Sequence, residues 1–206
     1  MVERQLRRRG ITDERVLEAM GTVPRELFLP EHQRRRAYRD GAVRIGEGQT
    51  MSQPWIVACM AQLLELEGSE TVLEVGTGSG YAAAVLSLIC RELVTIERFE
   101  SLAEQAAATL AELGYGNVEV RVGDGTLGAP DRAPFGGISV TATARDEPPA
   151  ALFEQLVPGA ALVCPVERGR HELLVRYRDG DEEAVAPVRF VPLLEGWEAA
   201  GEPRPD

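Results

Sequence analysis

The chain has 206 residues, 44% of them hydrophobic and 27% charged, a size and balance that suit one globular domain able to bury its own core. Its formal charge of −11 sets 33 acidic residues against 22 basic ones, all of them arginine. So acidic a surface repels phosphate backbones, and the longest apolar stretch, Trp55 to Leu66, is broken by Gln62 and Glu65; neither nucleic-acid binding nor membrane insertion is expected.

At the N-terminus, Met1 to Gly10 lacks the apolar core of a signal peptide. The clusters Arg7-Arg8-Arg9 and Arg34-Arg35-Arg36 read as solvated surface. Thr12 is the expected cap of a helix running to about Met20, with Asp13 and Glu14 in its first turn and Ile11 stapled to Val16. Residues 22–50 read as loops and short turns, and Gly46 to Thr50 as a mobile loop rather than a strand. Pro54 opens a helix to about Leu66.

From residue 71 the pattern alternates. Strands are expected at 71–75, 93–97, 118–122, 137–142 and 160–165, with helices near Tyr81 to Cys90 and over 99–113. Asp146 and Pro148 are expected to start a further helix ending near Val157. Strands at 171–178 and 184–191, joined through Asp179-Gly180, form a hairpin. These seven strands predict a doubly wound, mostly parallel α/β sheet, Rossmann-like, with an antiparallel C-terminal edge. The whole chain, 1–206, is expected to be one domain: an N-terminal helical and lid segment (1–54), the core (55–196) and a frayed tail (197–206).

The most informative segment is Val72-Leu73-Glu74-Val75-Gly76-Thr77-Gly78-Ser79-Gly80, where an apolar run breaks into three alternating glycines. Such a turn lets a ligand approach the backbone at the carboxyl edge of an open sheet. A turn that binds nothing would waste the chain entropy of three glycines. A dinucleotide site would space its glycines G-x-G-x-x-G over a pyrophosphate, but here Tyr81 stands in the third place. S-adenosyl-L-methionine needs no phosphate cradle. Glu74 could orient its amino-acid end, Glu97, which lies 21 positions after Gly76, its ribose, and Asp124, in Gly123-Asp124-Gly125, its adenine. This is the architecture of a class I S-adenosylmethionine-dependent methyltransferase. The expected cofactor residues are Gly76, Thr77, Gly78, Gly80, Glu97, Arg98, Asp124 and Gly125, and S-adenosyl-L-homocysteine is the product. No metal is expected, since only His32 and His171 could assist Cys59, Cys90 and Cys164; buried, reduced thiols fit a cytoplasmic protein.

Gly48-Gln49-Thr50-Met51-Ser52-Gln53-Pro54, with Val23-Pro24-Arg25-Glu26 and Phe28, resembles the protein-L-isoaspartate O-methyltransferase family. The resemblance runs from Arg9-Gly10-Ile11 through Tyr38-Arg39-Asp40, Ile96-Glu97-Arg98, Ala133-Pro134-Phe135 and Leu162-Val163-Cys164-Pro165 to Phe190-Val191-Pro192-Leu193. It implies methyl transfer to the free α-carboxylate of L-isoaspartyl residues in damaged proteins and peptides, whose ester then cyclises to a succinimide that hydrolyses toward repair. It implies that Ser52 is the active-site serine; with no histidine nearby in the sequence to activate it, Ser52 is expected to act by hydrogen bonding rather than as a covalent nucleophile, and the protein is expected to be a monomer. Ile45, Gly46, Glu47, Gly48, Thr50 and Gln53 are the expected substrate and lid residues, the small ones closing over the site. Rival readings are esterification of a dedicated peptide or small carboxylate, and an inactive cofactor-binding module.

Gly136, Thr143, Glu167 and the Val43-Arg44 pair depart from the family pattern. Gly136 stands where aspartate is common and is expected to loosen the start of the fourth strand. Thr143 and Glu167 replace alanine-rich and glycine positions, and with Val43-Arg44 they put the acceptor preference in question.

Overall fold

The structure is a computed structural model that describes residues 1–196; the tail at 197–206 lies outside the described residues. The N-terminal segment opens with a π-type turn, Val2–Leu6, and a 3-10 turn, Arg7–Arg9. Helix α1 (Glu14–Thr22) follows, capped by Asp13, whose carboxylate accepts from the backbone N–H of Arg15 at 2.9 Å and of Val16 at 3.4 Å. The cap is thus one residue later than Thr12. A carboxylate takes two amides of the first turn and favours the positive helix end, while Thr12 is held by Gln62, whose Oε1 accepts its N–H at 2.7 Å. The arginine clusters are exposed in 3-10 turns, and Arg7 pairs with Glu14 and Arg9 with Asp40.

Residues 43–51 are a hairpin rather than a free loop. Strand β1 (Val43–Arg44) pairs antiparallel with β2 (Thr50–Met51), and Glu47 and Gly48, both at positive φ, turn the chain between them. Ser101 Oγ donates to Glu47 Oε1 at 2.8 Å and ties the tip to the main body. Helix α2 (Pro54–Leu63) then leads into the sheet.

The main sheet has the order β5-β4-β3-β6-β7-β8-β9. Its parallel strands are β3 (Thr71–Val75), β4 (Glu92–Glu97), β5 (Val118–Val122), β6 (Phe135–Val140) and β7 (Leu156–Arg168). Strands β8 (His171–Arg178) and β9 (Asp181–Val188) close the edge antiparallel. Helices α3 (Tyr81–Ser87), α4 (Glu100–Glu112) and the short α5 (Ala150–Phe153) link the parallel strands. Because side chains alternate across a strand, Val72 and Leu93 enter the core shared with α1–α3, while Leu73, Val75, Val94 and Ile96 enter a second core on the opposite face. Burial on both faces is why β3 and β4 read as largely apolar runs, broken only by the buried Glu74 and Thr95 within them.

The expected helix over 146–157 shrinks to the single turn of α5, capped at Pro149. Residues 156–159 join β7 instead: Leu156 pairs with Phe135, and parallel pairing with β6 recovers at Ala161. In the closing hairpin, Asp179 and Gly180 have φ of 50° and 89°, the two-residue turn that matches strand twist, so β9 begins at 181 rather than 184.

Strand β6 starts earlier than expected, at Phe135, and its pairing with β7 shifts register between Phe135 and Gly137, the place where Gly136 was expected to loosen it. A Cβ at Gly136 would lie 2.6 Å from Glu70 Cγ, and Glu70 is fixed there by accepting the N–H groups of Glu67 and Gly68, each at 2.8 Å. Gly136→Asp, which restores the residue common in the family, is therefore expected to destabilise this chain by about 1–3 kcal/mol through overpacking and like-charge contact. Urea unfolding measures it, and an unchanged midpoint would show that Glu70 yields freely.

Candidate functional site

The carboxyl edge of the sheet carries a crevice with about 810 Å³ of empty space, including its open mouth. Strand register builds its floor. Glu74 and Thr95 are neighbours on β3 and β4, and Glu97 follows two residues later on the same face. Thr95 Oγ1 donates to Glu74 Oε2 at 2.7 Å and lies 2.6 Å from Thr77 Oγ1, a buried chain of polar groups beneath the glycine turn.

The turn leaves β3 with Gly76, Gly78 and Gly80 at φ of 95°, 54° and 83°. At Gly76 a Cβ would collide with Thr141 Oγ1, and at Gly80 it would lie 3.2 Å from Ala106 Cβ. Positive φ and close approach together require glycine at both positions. Glu97 holds the middle of the turn: Oε2 accepts the Gly78 N–H at 2.8 Å, and Oε1 the Phe99 N–H at 3.1 Å.

Glu74 is fully buried, and its Oε1 has no partner among the described residues. Burial pushes its carboxyl up to about 8, the Thr95 hydrogen bond opposing and the Glu97 charge adding to the rise. The folded protein keeps this proton up to about pH 8, whereas an unfolded chain releases it near pH 4.5, so this group lowers stability as pH rises between those values. An unsatisfied buried carboxyl under a glycine turn fits the ammonium of an amino-acid tail. The lone pairs of Glu97 left at the rim fit ribose hydroxyls.

Facing the glycines, Gln49, Thr50, Met51 and Ser52 line the crevice from β2 and the approach to α2. Ser52 does not cap α2: Gln53 occupies that position, without a side-chain bond, and Ser52 Oγ has no hydrogen-bond partner among the described residues. The Ser52 carbonyl accepts from Arg25 Nη2 at 2.6 Å. The far wall is Val191, Pro192, Leu193 and Leu194, a strap returning across the sheet edge. Thr143 fastens it, donating its N–H to Val191 O and accepting the Leu193 N–H, both at 2.8 Å, while Arg98 Nη1 donates to Leu194 O at 3.1 Å.

The structure thus gathers Ser52, Thr50, Gly76, Thr77, Gly78, Glu97 and Arg98 in one crevice. It places others outside the lining. Gly80 and Gly125 serve packing, the latter against Val75. Asp124 caps a 3-10 turn, Gly125–Leu127, through Thr126, and its Oδ2 accepts the Gly196 N–H at 2.8 Å. Gln53 binds Asp40, and Ile45, Gly46, Glu47 and Gly48 form the hairpin behind the glycine turn, with Ile45 Cδ1 at 3.5 Å from where a Gly78 Cβ would stand. Trp55 is half-buried under Arg9, 4.7 Å from the ring centroid, whereas Tyr81, although buried, does reach the crevice lining. Thr143, although not itself in the lining, shapes the wall through the strap, and Glu167 is exposed. Sequence reasoning assigned no role to Val57, Ile96, Thr141 or the strap. For the strap, the signals in the sequence were its apolar run, Val191-Pro192-Leu193-Leu194, and the family resemblance at Phe190-Val191-Pro192-Leu193. No group of three His, Cys, Asp or Glu able to hold a metal ion occurs among the described residues.

Sheet order, glycine turn and paired acids define a class I S-adenosylmethionine-dependent methyltransferase. A Plasmodium falciparum structure with S-adenosyl-L-homocysteine bound superposes with a TM-score of 0.80 at 23% identity, over 95% of this chain and 97% of that one, a likeness that establishes the fold. A solved protein-L-isoaspartate O-methyltransferase superposes with a TM-score of 0.81 at 29% identity, over 96% of this chain and 67% of its own. Protein-L-isoaspartate O-methyltransferase 2 of Anaeromyxobacter sp. (strain Fw109-5) is 55% identical over 95% of this chain and 82% of its own length, and the Roseiflexus castenholzii enzyme 53% over 92% and 88%. The family model for protein-L-isoaspartate(D-aspartate) O-methyltransferase matches residues 1–198, and the chain belongs to that family.

Proposed function

We infer that this chain esterifies the free α-carboxylate of L-isoaspartyl residues in damaged proteins and peptides, using S-adenosyl-L-methionine as methyl donor. Family membership over residues 1–198 supports the activity. The observation that carries the mechanism is the unengaged Ser52 hydroxyl facing the glycine turn across one crevice.

S-adenosyl-L-methionine supplies a methyl carbon made electrophilic by its sulfonium. In this reading Gly76, Thr77 and Gly78 hold the amino-acid end by backbone, Glu74 Oε1 takes its ammonium, and Glu97 takes the ribose. Arg98 and Asp124 act at the adenosine end through the strap, since their side chains bind Leu194 and Gly196. The acceptor carboxylate is ionised at neutral pH and needs no general base, consistent with a crevice wall that carries no histidine, cysteine or lysine. Ser52 Oγ–H donates to one carboxylate oxygen and aims the other. Met51, Val57, Val191 and Leu193 keep the wall apolar, which favours a step in which opposite charges cancel. The hairpin at 45–48 supports the glycine turn from behind and is not itself the cover.

The reading extends to a monomer and to the cytoplasm, the latter supported by three buried, unpaired cysteines suited to a reducing compartment. No helix among the described residues is long and apolar enough to cross a membrane. A methyl-transfer assay with an isoaspartyl peptide and its normal aspartyl twin tests the activity. The isoaspartyl peptide alone is expected to be labelled; equal labelling of both, or of neither, overturns the assignment.

A further inference from the structure

Arg25 has no exposed surface. It sits in the 3-10 turn Arg25–Phe28 with Phe28 as its buried partner, and Phe28 and Arg25 both pack against Tyr81: the rings meet edge-on at 5.8 Å, and the guanidinium carbon lies 4.5 Å from the Tyr81 centroid. Its Nε donates to Ala37 O at 2.7 Å and its Nη2 to Ser52 O at 2.6 Å. Nη1 is buried with no partner among the described residues, and the adjacent Glu26 is turned to the Tyr38 hydroxyl instead. An arginine cannot shed its proton. A full positive charge is therefore held without a carboxylate, one carbonyl away from the serine that meets the acceptor. Buried cations persist where an anion answers them, and in an acidic chain the anion that comes to this place is the substrate.

We propose that Arg25 is the positioning residue for the acceptor, a buried unpaired cation behind Ser52 that draws the isoaspartyl carboxylate into the crevice and fixes the Ser52 peptide plane. The proposal rests on the acceptor being an isoaspartyl carboxylate at Ser52. Its energetic signature follows from the chemistry. The carboxylate loses its charge as the ester forms, so attraction to Arg25 is stronger for the bound substrate than for the transition state. The residue therefore governs peptide affinity rather than turnover.

The test compares dissociation constants, with S-adenosyl-L-homocysteine bound, for an isoaspartyl peptide and its neutral isoasparagine twin. Arg25→Gln is expected to reduce the preference for the anion about tenfold and raise the peptide KM alike, with kcat within about threefold, and Arg25→Lys to restore most of the preference. Equal weakening of both peptides would reduce Arg25 to a structural prop and overturn the proposal. If Arg25→Gln does not fold, Ser52→Ala decides, because Arg25 is intact there: the anion must still be preferred, and equal binding of the twins overturns the proposal. Failure of the unaltered protein to bind or methylate the isoaspartyl peptide would strike the functional reading instead.

Discussion

Ser52→Ala is expected to lower turnover on isoaspartyl peptide about tenfold to a hundredfold while leaving affinity for S-adenosyl-L-homocysteine within about twofold. A hydrogen bond to a charged group contributes about 1.5–3 kcal/mol, which as a lost contact in the reacting complex corresponds to that rate range. The cofactor should not notice, because Ser52 stands across the crevice from the glycine turn. Nor should the fold, since Ser52 caps no helix. Steady-state kinetics with calorimetry separates these effects. Unchanged turnover would remove Ser52 from the mechanism, and a large drop in melting temperature would show that its role is structural.

Glu97→Ala is expected to do the reverse. It removes the acceptor proposed for the ribose and releases two N–H groups, those of Gly78 and Phe99. Affinity for S-adenosyl-L-homocysteine should fall about a hundredfold, the sum of two contacts to a charged group at the low end of their range. Turnover at saturating cofactor should change by less than about threefold, because the turn keeps other ties: Gly76 N–H donates to Ile96 O at 2.8 Å and Gly80 N–H to Thr77 O at 2.9 Å. Calorimetry showing unaltered cofactor affinity would contradict the ribose role and leave Glu97 as a brace for the turn alone.

What the sequence disclosed, and what it hid, follows from how far apart the partners lie along the chain. Strands β3, β4 and β7 were legible because burial on both faces makes them largely apolar between glycine and helix signals, and β5 because Val118, Val120 and Val122 alternate with Glu119 and Arg121, as in a half-buried edge strand. The glycine turn was legible from local pattern too, as three alternating glycines, of which Gly76 and Gly80 leave no room for a side chain. Asp179-Gly180 announced its hairpin. The helix over 146–157 misled because Asp146 and Pro148 are sound helix starters, yet Leu156 is claimed by Phe135 on β6, a pairing across 21 positions that no local pattern shows. The hairpin at 43–51 was hidden because its strands are two residues each.

The site divides likewise. Residues on the glycine turn and at the end of β4 fell into place from spacing. Asp124, Gly125, Gly80 and Gln53 were expected at the ligand from spacing and resemblance, and the folded chain shows what spacing does not: the Asp124 and Gln53 side chains bind Thr126, Gly196 and Asp40, and the two glycines meet packed neighbours. The strap at 191–194 and its fastening by Thr143 and Arg98 depend on contacts between chain segments about 50 and 100 residues apart. In the sequence Arg25 is one residue of the Val23-Pro24-Arg25-Glu26 motif; its burial and its bond to Ser52 are properties of the folded chain.

The most direct measurement is a crystal structure with S-adenosyl-L-homocysteine and an isoaspartyl peptide bound together. The account predicts the sulfur over Gly76–Gly78, the nucleoside against Glu97 beneath the strap, and one α-carboxylate oxygen within hydrogen-bond reach of Ser52 Oγ. A peptide carboxylate seated away from Ser52, or a nucleoside outside the crevice between the glycine turn and Val191–Leu194, would contradict it.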